Sequence, residues 1–185
     1  MTDLPPTRDR LVASAALLFQ RKGYHGVGIT EILETAEAPK GSLYHHFPKG
    51  KSDLALAAAE FAAKQLLLIL DTSFEGATDT RDGVTTFCYK LAKLFALNDH
   101  WVGCPISSTL FESPSNQEFR TTTRAIFKTW HAATKAHAIA KGTDPQEADA
   151  LADALWMTLQ GAWTMSRVRG SSDPIKQVPK LIFGS

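Results

Sequence analysis

Apolar residues recur along this chain at helical spacing, punctuated by glycine, proline and short polar stretches. Leu11, Ala15, Leu18 and Phe19 stand at offsets 0, 4, 7 and 8, which predicts a first helix over 8–22. Thr7 is its expected N-cap, and Gly23 sits where a left-handed residue closes a helix. Residues 24–28 form a connector that ends at Gly28, the expected cap of a second helix. Ile29, Ile32, Leu33 and Ala36, at offsets 0, 3, 4 and 7, predict that helix.

Glu37-Ala38-Pro39 interrupts the second helix. Proline lacks an amide hydrogen and disfavours a helical conformation in the residue before it, so the helix stops by Glu37, while Pro39 suits the first turn of another. The third helix is predicted from residue 39 or 40 to about 46, with Leu43 and Phe47 inward and Lys40, Gly41, Ser42, Tyr44 and His45 outward. A helix so short is marginal alone and depends on its two apolar anchors to dock it. This is the layout of a helix-turn-helix, whose second helix enters the major groove of DNA while flanking groups hold phosphates. Lys40 and Ser42 are suited to donate to bases or phosphates, Gly41 permits close backbone approach, and Tyr44, Lys49 and Lys51 add a hydroxyl and charge at the helix end. The histidine pair His45-His46 raises the alternative of a metal site. Adjacent helical residues diverge by about 100°, so the two do not form a chelating pair, and no metal is expected.

A fourth helix is predicted from Ser52 to about Leu70, capped by Ser52 or Asp53, with Leu54, Ala58, Phe61 and Gln65 on one side. Residues 74–83 read as a loop. Residues 81–97 read as a helix with Val84, Phe87, Leu91, Leu94 and Phe95 inward, and 105–112 as a short one ended by Ser113-Pro114-Ser115. The next is capped at 115–116 and runs to about Ala140, closed by Lys141-Gly142, before Asp144-Pro145 opens another to about Val168. That last helix is apolar on two sides. Leu151, Leu155, Leu159, Ala162 and Ser166 mark one, and Ala152, Trp156 and Trp163 the other, with Gly161 and Ala162 allowing close approach. A small bundle covers two such sides poorly, so Leu151, Leu155, Leu159, Ala162, Trp163 and Ser166 are expected at a homodimer contact. Residues 173–183 would supply the rest, although Pro179 speaks against a regular final helix. A buried core helix with a frayed tail is the plainer alternative.

The chain is therefore all-α. We place a helix-turn-helix domain at 1–51 and a helical ligand-binding and dimerisation domain at 52–185. Its 185 residues are 44% hydrophobic with a net charge of only +1, so any DNA binding has to come from a local basic face. Two cysteines form no disulfide framework, and no signal-like or membrane-spanning stretch occurs, so a cytoplasmic protein is expected. Cys104, beside Pro105 at an expected helix start, is a possible redox sensor on paper, but a buried structural thiol is the plainer reading. No phosphate-cradling glycine motif, HExxH, CxxC or GxSxG occurs, so neither an enzyme nor a cofactor is expected. The second half is rich in large rings. Phe87, Leu91, Phe95, Trp101, Phe111, Phe127, Trp130, Trp156 and Trp163 are what a pocket for a flat, apolar ligand would use, and equally what an ordinary core would use.

The series AALLFQRKGYHG, then ITEILETAEAPKGSLYHHFPKGKSDLALAA, resembles the DNA-binding domain of the TetR family of transcriptional regulators, and the later GCP motif is similar to its LmrA/YxaF-like branch. The resemblance implies an all-helical homodimer that binds a palindromic operator in double-stranded DNA and a small-molecule inducer in its C-terminal half. It also implies DNA contacts from Lys40, Gly41, Ser42, Tyr44, His45, His46 and Lys51. Tyr44 and Lys51 would fall on phosphates, and Ser42 and His45 on base edges. Three positions depart from the family pattern. Gly28 replaces the threonine that usually opens the second helix, which leaves Thr30 to take its phosphate. The loop 47–51 is one residue longer than the commonest form. Glu37 stands at the usual turn glycine, where a left-handed conformation would cost a side-chain-bearing residue about 1–2 kcal/mol. The rival reading is a helical ligand-binding or interaction protein that no longer reads DNA.

Overall fold

The computed structural model describes residues 4–98, 102–112 and 115–184. Trp101, His100, Ser113 and Pro114 lie outside them. Among the described residues there are nine helices and no strand. They divide into two compact units, one of residues 1–64 and 104–124, the other of 65–103 and 125–185.

The first unit contains α1 (Thr7–Lys22), α2 (Ile29–Thr35), α3 (Ser42–His46), the first part of α4 (Lys51–Phe74), α6 (Ser107–Leu110) and the opening turns of α7 (Gln117–Ala140). α1 packs on α2, α3 and α6. The expected inward residues Leu11, Ala15, Leu18, Phe19, Ile32, Leu33, Leu43 and Phe47 are buried. Thr7, however, is the first residue of α1 rather than its cap, and Pro6 precedes it without a side-chain cap bond. α3 begins only at Ser42, because both the amide and the hydroxyl of Ser42 donate to the Pro39 carbonyl and make a turn of residues 39–41. On α4 the buried stripe is Leu54, Ala55, Ala58, Ala59 and Ala63, while Phe61, expected inward, is 38% exposed.

The second unit holds the rest of α4 with α5 (Thr80–Leu97), most of α7, α8 (Pro145–Arg169) and α9 (Asp173–Phe183). α4 continues past Leu70 to Phe74, whose buried ring stacks on His137 at 4.9 Å. Gly83 lies against that ring so closely that a β-carbon there would sit 2.5 Å from it. Val84, Phe87, Leu91 and Phe95 of α5 are buried, but Leu94 is 42% exposed. Asp144 caps α8 by accepting from the Gln146 and Glu147 amides, and Gly170 closes it in the left-handed conformation. The final segment is a helix after all: Pro179 sits inside α9 and is itself buried, together with Pro174, Ile175 and Val178. α9 packs on α5 and α8, and that packing outweighs the lost backbone bond. Among the described residues no helix is long and apolar enough to cross a membrane.

Candidate nucleic-acid interface

The outward face of α3 is built by what lies beneath it. Leu43 and Phe47 are 0% and 3% exposed, which turns Tyr44, 59% exposed, and His45 to solvent. Gly50, at φ +66°, passes under the Tyr44 ring, where a β-carbon would sit 3.1 Å from it. Lys40, Gly41 and Thr30 are exposed, and Lys40 has no ion pair among the described residues. Thr30 and Lys40 border a depression of about 480 Å³ together with Leu33, Glu34, Glu37, Ala38 and Pro39. His45 and His46 meet edge to face at 4.9 Å.

Two of the expected contacts are engaged within the protein. The Ser42 hydroxyl donates to Pro39 O at 2.6 Å. The Lys51 ammonium lies over the Tyr24 ring, 4.4 Å from its centroid, and burial lowers its pKa, with the Glu112 carboxylate opposing that shift. Lys49 reaches Glu118 at 2.6 Å, and its amide donates to Asp53 Oδ2 at the start of α4. Of Lys40, Lys49 and Lys51, Lys40 is the one with neither an ion pair nor a ring contact among the described residues.

The helices are fixed by polar contacts that residue spacing does not display. Arg8 lies over the Phe47 ring at 5.5 Å. Arg10 donates to Ala36 O at 3.0 Å, Glu37 O at 3.1 Å and Pro5 O at 2.8 Å. Glu37 has a φ of +48°, the left-handed conformation expected from its replacement of a glycine. Glu112 accepts from the His25 amide at 2.8 Å, and the His25 ring donates to Glu112 O at 2.9 Å. Tyr24 N donates to Ser108 O at 3.1 Å, and the Tyr24 ring meets Phe119 edge to face. Gly23 has a φ of +75° and lies so near Glu112 that a β-carbon would stand 2.0 Å from Oε1.

The ring-bearing residues divide between the units. In the second, Trp130 stacks on Trp156 at 4.6 Å, Phe87 and Phe127 meet these rings edge to face, and the Trp156 indole donates to the Thr134 hydroxyl. Leu91, Phe95 and Trp163 are buried in the same unit. Phe111, 55% exposed, belongs to the first unit, where it borders a depression of about 490 Å³ with Leu110, Arg120, Thr123 and Arg124. Cys104 is buried and lies before the start of α6 at Ser107, not at a helix N-terminus. Burial pushes the Cys88 thiol up to about 12. Of the residues expected at a dimer contact, Leu155, Leu159, Ala162, Trp163 and Ser166 are buried within the single chain and Leu151 is half-buried. Among the described residues the buried Ser166 hydroxyl has no hydrogen-bond partner.

A three-helix head with an anchored, outward-facing second helix after a tight turn defines a helix-turn-helix DNA-binding protein. The comparisons with known proteins agree. Residues 11–58 match the tetR family of bacterial regulatory proteins, and residues 81–181 match the C-terminal domain of LmrA/YxaF-like transcriptional regulators. The chain belongs to the TetR family of DNA-binding transcriptional regulators, a non-enzymatic family. It is 29% identical to the HTH-type regulator YxaF of Bacillus subtilis, over 98% of each chain. An HTH-type regulator of Mycobacterium tuberculosis is 31% identical, over 95% of this chain and 91% of its own. Among solved structures, a TetR regulatory protein from Rhodobacter sphaeroides superposes with a TM-score of 0.82 at 27% identity, over 95% of this chain and 96% of its own.

Proposed function

We propose that this chain is a repressor that binds a palindromic operator as a homodimer and is released by a small apolar or aromatic ligand. The observation that carries the reading is the exposure of Tyr44 and His45 on α3, and of Lys40 and Gly41 in the turn that leads into it, over an anchoring side, Leu43 and Phe47, that is buried. With Thr30, Ser42, His46 and Lys51 these form the proposed DNA contacts of a head comprising residues 1–51. Lys40 and Tyr44 are ready to engage as they stand, whereas Ser42 and Lys51 would first leave Pro39 and Tyr24. Repression needs no more than occupancy of the operator, and relief no more than its loss.

Residues 52–185 are assigned ligand binding and dimerisation. A palindrome requires two recognition helices about 34–36 Å apart, hence two copies of the chain. Met157 and Val168 of α8, 68% and 73% exposed, and Leu181 of α9, 69% exposed, are among the apolar side chains open to a second copy. Leu155 and Leu159 are occupied in the chain's own core, so the contact falls on that edge of α8, past the exposed Gly161. The Trp130, Trp156 and Phe87 cluster, with the Trp156 indole bonded to the Thr134 hydroxyl, supports an apolar or aromatic ligand.

The test is fluorescence anisotropy with duplexes tiling the DNA upstream of the chain's own gene, at two salt concentrations. Tight, salt-dependent binding to one palindromic duplex, weakened about tenfold or more by Tyr44→Ala, is the expected result. Uniform weak binding to every duplex, unaffected by that substitution, would overturn the reading in favour of a helical binding module without sequence preference.

A further inference from the structure

We infer that Arg10 positions the recognition helix for operator binding by holding the left-handed turn at Glu37, and that the identity of residue 37 sets how much the protein depends on it. The inference rests on the operator reading above.

The turn closes α2 by two bonds. The Glu37 amide donates to Glu34 O at 3.1 Å and the Ala38 amide to Leu33 O at 2.9 Å, the paired bonds of a Schellman closure, with Glu37 as its left-handed residue. Glycine occupies such a position without steric cost; glutamate does not. The strain falls in the turn that aims α3, and α3 is too short, at five residues, to hold a direction by itself.

Arg10 supplies what the turn lacks. Nε donates to Ala36 O and Nη2 to Glu37 O, so one planar guanidinium holds two successive carbonyls in the orientation that only the left-handed turn gives them. Nη1 donates to Pro5 O, which ties the segment before α1 to the same point. A lysine in this position has one point charge and no fork, and cannot hold both carbonyls at fixed geometry. The acceptors are backbone carbonyls 26 and 27 residues away, so Arg10 acts on the course of the chain.

The test is a double-mutant cycle read by anisotropy against the palindromic duplex and an unrelated one, with far-UV circular dichroism as the control for folding. R10A is expected to weaken palindrome binding roughly tenfold, as loss of two backbone-directed bonds implies, while its affinity for the unrelated duplex stays at the wild-type value. R10K, which keeps the charge and the stem, is expected to lose nearly as much. E37G in the R10A background should recover most of the loss. E37Q, which removes the same charge but keeps the steric cost, should recover little and so separates conformation from repulsion of phosphates. Hydrogen exchange in the free protein gives a second readout: the Ala38 amide should exchange faster in R10A and R10K and return towards wild type with E37G. The inference is overturned if R10A reads the palindrome as wild type does, if the two duplexes lose affinity equally, or if E37Q rescues as well as E37G. A variant too unstable to assay leaves R10K and the exchange measurement to decide. If wild type shows no preference for any duplex, the operator reading fails and the positioning role falls with it. If wild type reads the palindrome and R10A reads it equally well, only the positioning role fails.

Discussion

The two compact units are held by different means. Around the recognition helix, the contacts that fix direction are polar and few: Arg8 on Phe47, Arg10 on the turn, Glu112 on the α1–α2 connector and Lys51 over Tyr24. In the second unit the fixing elements are rings in contact with rings, with Trp130, Phe74, Phe87 and Phe95 all fully buried. A polar clamp contributes little net stability but holds a defined geometry, whereas buried aromatic area contributes stability and tolerates small shifts. Substitutions in the first unit should therefore alter function before they alter folding, and those in the second should do the reverse.

The largest expected effect breaks the second unit. Trp130→Ala removes a ring that is 1% exposed and stacked on Trp156, and should destabilise the protein by about 3–5 kcal/mol in urea denaturation. A loss below about 1 kcal/mol would mean that the stack is not the main support of this unit. Next comes Gly23→Ala in the first unit. It combines a positive φ with a close approach to the Glu112 carboxylate, and should cost about 1–2 kcal/mol, seen as a lower thermal midpoint. A companion Glu112→Ala change should return part of that loss, since it removes the obstacle but not the φ penalty. The smallest effect sharpens the contrast between two lysines. Lys40→Ala should reduce the salt dependence of operator binding by about one counterion. Lys49→Ala, whose ammonium is held by Glu118, should leave it unchanged. Equal slopes for the two variants would show that the Lys49–Glu118 pair opens on DNA.

What the sequence disclosed depended on the range of each interaction. Leu43 and Phe47 could be placed inward because helical periodicity is local, and strain at Glu37 could be expected only through the family resemblance, which puts a turn glycine at its position. Arg10 could not be assigned, because its partners lie 26 and 27 residues away and are backbone carbonyls, which leave no mark in residue type. Glu112 was hidden for the same reason, 87 residues from His25. The apolar pattern places the end of α4 near Leu70, ahead of the polar Asp71-Thr72-Ser73. Yet the Thr72 and Ser73 hydroxyls bond back to Leu68 O and Ile69 O, and the helix continues until Phe74 is seated. Pro179 misled in the same direction. A proline weighs against an isolated helix, but α9 is packed on α5 and α8, and burial of Ile175 and Val178 decides the outcome.

The first unit is not one stretch of chain, since residues 104–124 complete what residues 1–64 begin. Tyr24 and His25 find Ser108, Glu112 and Phe119 only from that later stretch. Exchange of specificities between regulators is usually imagined as a cut after the helix-turn-helix and a splice onto another body. Here such a transplant would carry the reading helix without the residues that brace its connector. The transferable module is the discontinuous one, and a chimera that includes 104–124 is the form in which this head can be moved intact.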